Sequence, residues 1–262
     1  INPTLAYPTW GSLVAHELEE PGLELPAFVR VGKPRIQTRD VNAGVLGPQY
    51  EAFKVDDPNQ IPDDLLPVAG AERTRRRLGL TNQLDAAFAD RGRKRAVAEK
   101  KSVYDRTARF VLSSRTDVFD LSNEPKWLRD QYGHTSFGQG CLMARRLVES
   151  GVTFVEVFST GGRNDAGWDT HKAGFRDTPN LCAEADAGYA TLLLDLEARG
   201  LLEDTLVVWM GEFGRTPRIK KDGGRDHYSK GWITCLSGGG FKTGQVIGAT
   251  DKDGKDVAER RG

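Results

Sequence analysis

Three observations predict an α/β fold with a mostly parallel sheet covered by helices on both faces. Twice in the second half of the chain, an amphipathic helical stripe is closed by a glycine and followed within a few residues by a β-branched run. The first such unit is Phe137, Cys141, Ala144 and Val148, then Gly151, then 152–158; the second is Leu181, Ala185, Tyr189, Leu192 and Leu196, then Gly200, then 206–210. Three- and four-residue spacing is the period of one helical face, and a glycine after the last turn ends a helix. The second observation is Leu206-Val207-Val208-Trp209-Met210, a continuous apolar run of the kind found in strands buried on both faces. The third is length: 262 residues suffice for one large α/β domain or two small ones.

Taken in order, residues 1–68 are rich in Pro and Gly. They predict a short helix over 12–18, one strand near 27–32 and much loop. His16, with no candidate ligand nearby, reads as a surface residue. From 69 to 114 the composition turns charged and helix-favouring, with Val97, Tyr104, Ala108 and Val111 mostly at helical spacing. Its arginines and lysines suggest nucleic-acid binding, but Glu72, Asp85, Asp90, Glu99 and Asp105 dilute them, which favours a solvated helical hairpin. Residues 69–134 therefore read as a helical insertion or cap. Pro125 opens a short helix ending near Gly133, and His134 lies in the linker as a cap or surface residue. A helix over 136–150, with Arg145, Arg146 and Glu149 on its outer side, precedes the strand 152–158. A helix over 178–199 precedes the strand 206–210, and further strands are expected at 232–236 and 245–247.

Composition excludes some function classes. Lys+Arg and Asp+Glu both number 37, so the chain has no net electrostatic footprint for nucleic acid or an anionic membrane. No apolar run approaches the ~20 residues that span a bilayer. Cys141, Cys182 and Cys235 are isolated and odd in number, which speaks against a disulfide framework or a paired-cysteine metal site and for buried free thiols. The chain starts at Ile1 and finishes in a charged stretch, which reads as a single domain incomplete at both ends.

Potential ligands gather where strands end. After 152–158, a loop with glycines at 161, 162 and 167 presents Asp169 and His171; after 206–210 come Glu212 and then Asp226-His227. Ligands of open α/β sheets bind at the carboxyl ends of strands. Carboxylates and imidazoles from several loops are the donor set for Zn²⁺, Mn²⁺ or a related divalent cation. Each Asp/His pair alone reads equally as a hydrogen-bonded loop feature. Arg215 either clamps the charged oxygens of a ligand or pairs with Asp222 or solvent, and Arg225 carries the same two readings. In SGGGFKTG, Lys242 follows Phe241, so the phosphate-loop pattern fails, and no GxSxG elbow is present.

The strings GWDTH (167–171), LLLDLEARGLLEDTLVVWMGEFGRTPRI (192–219), GGRDHY (223–228) and SGGGFKTGQVIGATD (237–251), together with FGQGCLMARRLVESGVTFVEV (137–157), resemble the DUF1501 family, described as sulfatase-like within the alkaline phosphatase superfamily. The resemblance implies a three-layer α/β/α sandwich with divalent metal (Zn, Ca, Mg or Mn) at C-terminal strand ends. It also implies hydrolysis of phosphate or sulfate esters, small-molecule or glycan, and export to the periplasm or cell exterior. Carried over by motif, Asp169, His171, Glu212, Asp226 and His227 are metal ligands and Arg215 the catalytic anion clamp. Phe213 stands where the superfamily has a strand-end histidine, and the nucleophile is expected upstream, with Thr4, Thr9 and Ser12 poor substitutes. The alternative is a non-catalytic relative that binds a sulfated or phosphorylated ligand or a partner protein.

Overall fold

A computed structural model describes residues 7–18, 20, 22–34, 43–65, 70–160 and 167–259. The described residues fall into two compact units, one of residues 1–130 and 139–158, the other of 131–138 and 159–262. Gly161 and Gly162, expected to approach a ligand, and Thr4 lie outside the described residues.

The first unit is built on a parallel sheet. Helix α1 (Trp10–Leu18) starts two residues earlier than expected because Thr9 caps it, its Oγ1 accepting from the Ser12 amide at 3.1 Å. Strand β1 (Phe28–Val31) lies between β2 (Phe53–Val55) and β3 (Phe154–Val157), both parallel to it. Ala15 of α1 packs with Ala27, Phe28 and Phe154 over this sheet. Arg30 and Glu156, register partners on β1 and β3, are joined by a 2.7 Å ion pair. β2 differs from the expected loop: its Phe53-Lys54-Val55 alternates, but three residues are too few to mark a strand by period.

Helices α2 (Ala71–Phe88) and α3 (Lys94–Val111) form the expected hairpin, folded back where Arg91 and Gly92 leave helical geometry. None of the described residues of α2 is buried, and Lys100 reaches across to Asp85 at 2.8 Å. The hairpin is held at its far end by Phe110, whose ring meets those of Phe53 and Phe119 edge-on.

Helix α4 (Lys126–Tyr132) leads to α5 (Ser136–Glu149). Arg145, expected on the outer side of α5, is instead only 2% exposed. The turn before α4 carries Glu124 over it, so that Glu124 pairs with Arg145 at 2.8 Å and with Arg146 at 2.6 Å. Burial raises the pKa of the Glu124 carboxyl, but the hydrogen bonds from Arg145 and Arg146 outweigh it and hold the group below the usual carboxylate range. Cys141, buried in the same helix, has its thiol pushed up to about 12 by desolvation. Cys182 and Cys235, expected to be buried, are exposed.

In the second unit, helix α6 (Gly174–Ala198) begins four residues before the expected start at 178. The helix extends upstream past Pro179 to Ala173, a left-handed residue at φ 52°. Gly200 closes it as expected, at φ 67°. Strand β4 (Leu206–Met210) has the predicted bounds, yet it pairs antiparallel with β7 (Thr234–Gly238) rather than joining a parallel ladder. Its Leu206, Val208, Trp209 and Met210 are exposed, because the described partners are β7 on one edge and Tyr189 of α6 beside Trp209. Between them lie the two-residue strands β5 (Gly214–Arg215) and β6 (His227–Tyr228), an antiparallel pair. The chain then runs to β8 (Ala249–Thr250) and β9 (Val257–Glu259), and 245–247 forms no strand. No helix among the described residues is long and apolar enough to cross a membrane.

Candidate metal centre

Two loops of the second unit meet backbone to backbone. The amides of Ala173 and Gly174 donate to the carbonyls of Asp222 and Gly223 at 3.0 and 3.2 Å, and the Arg225 amide donates to the Thr170 carbonyl at 3.2 Å. The approach is close enough that a Cβ on Gly224 would fall 1.8 Å from the His171 carbonyl oxygen. On one side, Trp168 Nε1 donates to Ser159 Oγ at 2.9 Å and anchors the loop carrying Asp169 and His171. On the other, the β5–β6 hairpin carries His227, and its long loop is braced from within: Arg225 Nη1 donates to the carbonyls of Thr216 and Pro217 at 2.7 and 3.0 Å. Of the two readings for Arg225, the structure shows a backbone brace.

The docking brings three donor atoms together. Asp169 Oδ1 lies 3.0 Å from His171 Nε2 and 3.1 Å from His227 Nε2, and the two Nε2 atoms are 3.0 Å apart. These are the three side chains that together could hold a metal ion among the described residues. An ion bonded at about 2.0–2.2 Å to imidazole nitrogen and carboxylate oxygen needs its donors roughly 3 Å from one another, so this triangle has the right size. The chemistry also fits, since a carboxylate and two imidazoles are donors that suit a divalent cation.

The remaining candidates occupy different places. Arg215 Nη1 donates to Asp169 Oδ1 at 2.8 Å, so its partner is the carboxylate of that triangle and not Asp222. Glu212 is exposed and reaches only Arg215 Nη2, at 3.9 Å. Asp226 Oδ1 accepts from Lys220 Nζ at 2.9 Å and faces His171 Nδ1 at 3.2 Å, the nitrogen pointing away from the triangle. The Lys220 hydrogen bond first, and that of His171 second, hold the Asp226 carboxyl below the usual carboxylate range. The Phe213 ring packs against the His227 ring at a centroid distance of 4.3 Å and beneath the Arg215 guanidinium at 5.8 Å. Phe213 thus gives the His227 imidazole an apolar support. Lys220 was missed altogether. The Lys221-Asp222-Gly223-Gly224 run was the available signal, because a DG turn marks a hairpin and so draws Lys220 back beside Asp226.

A family model described as "Protein of unknown function (DUF1501)" matches residues 2–261 of the chain. No curated protein and no solved structure matches it.

Proposed function

The chain belongs to the DUF1501 family, and we propose that it is a metal-dependent hydrolase of phosphate or sulfate esters, centred on Asp169, His171 and His227. The observation that carries this reading is the triangle of Asp169 Oδ1 and two Nε2 atoms with edges of 3.0–3.1 Å. A divalent ion held there supplies Lewis-acid polarisation of an ester oxygen. The protein's own part is to hold the three donors on one partly exposed face and to place a guanidinium beside them. Arg215 spends Nη1 on Asp169, which leaves the rest of its planar fork to receive the charged oxygens of the ester. The reading includes Zn, Ca, Mg or Mn as the ion, export from the cytoplasm and a small-molecule or glycan ester as substrate. It takes the fold as the alkaline phosphatase-like three-layer sandwich, which the parallel order β2-β1-β3 supports, with 69–134 as a helical excursion.

A second reading, a non-catalytic binder of sulfated or phosphorylated ligands, is favoured by one observation. The described residues present one cluster of three metal-ligating side chains, with Phe213 packed where a second site would take a ligand. The two are separated by metal analysis of purified protein together with a screen of aryl phosphates and aryl sulfates. The hydrolase reading expects a stoichiometric divalent ion, lost in His227→Ala, and metal-dependent turnover of one ester class. Metal without turnover supports the binder, and no metal in the wild-type chain rejects the hydrolase.

A further inference from the structure

Asp226 precedes His227 in the chain yet stays outside the triangle of donors. Its Oδ1 is shared by Lys220 Nζ at 2.9 Å and His171 Nδ1 at 3.2 Å. A neutral imidazole carries one N–H, and which nitrogen bears it is set by the partner of the other. Each ring nitrogen of His171 has a carboxylate oxygen near it, Asp226 Oδ1 at 3.2 Å from Nδ1 and Asp169 Oδ1 at 3.0 Å from Nε2; a cation among Asp169, His171 and His227 needs the Nε2 lone pair, and Asp226 is the acceptor placed to take the N–H at Nδ1.

Both ends of the Lys220–Asp226 bridge are fixed by backbone. The Lys220 amide donates to the Gly224 carbonyl at 2.9 Å, and its own carbonyl accepts from the Gly223 amide at 3.0 Å. Asp226 is held to Thr216 twice, its amide donating to Oγ1 at 3.1 Å and its carbonyl accepting from the Thr216 amide at 2.9 Å. His171 belongs to the opposite loop, docked through Thr170, Ala173 and Gly174. The bridge is therefore placed against the ring by two braced backbones.

We propose that Asp226 is a positioning residue, not a ligand: it fixes the tautomer and orientation of His171 for cation binding at Nε2, and Lys220 holds its carboxylate in that task. The inference rests on the metal-centre reading above and adds the outer partner that orients one of its ligands. Such partners of ligating histidines typically change metal affinity by about 10–100-fold.

The test uses the full chain, stripped of metal, with Co²⁺ alone as the probe. Wild type, Asp226→Ala, Lys220→Met and Asp169→Ala are titrated while the visible absorption of bound Co²⁺ is followed, and the ring ¹⁵N shifts of His171 are recorded before metal is added. Asp226→Ala is expected to raise the Co²⁺ Kd by about 10–100-fold while the band positions and intensity of the saturated protein stay those of wild type. Lys220→Met is expected to fall between the two, and Asp169→Ala to lose the wild-type spectrum. In metal-free wild type, His171 is expected as the Nδ1–H tautomer, shifting toward Nε2–H in Asp226→Ala. Unchanged affinity in Asp226→Ala overturns the inference, as does a saturated spectrum altered in the way that loss of a ligand alters it. A wild-type chain that takes up no Co²⁺ overturns the metal centre itself. The His171 tautomer then still decides the role of Asp226, since a shift on substitution supports it and an identical tautomer in both proteins overturns it.

Discussion

Arg215 and His227 face each other across the β5–β6 ladder, and both reach the same oxygen of Asp169, the guanidinium at 2.8 Å and the imidazole at 3.1 Å. Two residues twelve positions apart thus act as a pair because a short antiparallel register sets them side by side. One is a candidate ligand and the other a fixed cation, so both share Asp169 as an anchor.

The first prediction concerns that cation. Arg215→Met should keep its bound metal, because the three donors remain, but should lower kcat/KM for ester hydrolysis by about 10²–10³-fold, the usual cost of deleting one preorganised charge-stabilising group. Steady-state kinetics on aryl phosphate and aryl sulfate, alongside metal analysis, check both halves. Unaltered kinetics would show that Arg215 only braces Asp169.

The second concerns the contact between loops. Gly224→Ala forces a methyl group to within 1.8 Å of the His171 carbonyl oxygen unless the backbones separate. The expected outcome is a destabilisation of about 1–3 kcal/mol, as for overpacking elsewhere, and a weakened metal site in the folded protein. Chemical denaturation and a Co²⁺ titration of the same variant measure the two effects separately.

The third concerns pH. Glu124 has a folded pKa below its unfolded value, owing to Arg145 and Arg146. Its contribution is therefore fully present above the unfolded carboxylate range and is lost as pH falls through the lower folded value. Glu124→Gln should flatten this part of the acid-unfolding curve. At neutral pH it should destabilise the protein by about 1–3 kcal/mol, since buried Arg145 loses one charged partner and keeps the other, Glu149 at 2.6 Å. Urea melts of both proteins across the acid range test this.

The fourth uses the thiols. Cys182 and Cys235 are exposed, whereas Cys141 is buried with its thiol pushed up to about 12. A maleimide reagent under native conditions near neutral pH should modify the first two and spare Cys141, which should react only on denaturation. Peptide mapping by mass spectrometry reads this directly; native labelling of Cys141 would contradict its burial.

Much of the secondary structure was legible because local patterns carry it. The stripe 181–196 closed by Gly200, the exact run 206–210 and the charged hairpin of α2 and α3 all follow from periodicity and turn residues. β2 and the β5–β6 pair were not legible, since two- or three-residue strands have no period to display and exist only through their partners. Arg145 shows the same limit from another direction. Its charge placed it outside, although four residues after Cys141 and three before Val148 it flanks the apolar stripe, and the path of the chain before α4 sets Glu124 over it as a buried partner.

For the site, the sequence by itself determined the donor set. Asp169, His171, Asp226 and His227 stand in glycine-bearing loops after apolar strands, and residue type together with that position was enough to group them. Only the tertiary structure decided their division of labour. Asp169, His171 and His227 turn their donors toward one point, Asp226 turns to the outer nitrogen of His171, and Glu212 stays at the rim beside Arg215. Composition and spacing fix which groups are within reach, but the direction of a lone pair depends on how two loops dock. Here that docking is set by three backbone hydrogen bonds and by a glycine small enough to let the His171 carbonyl pass.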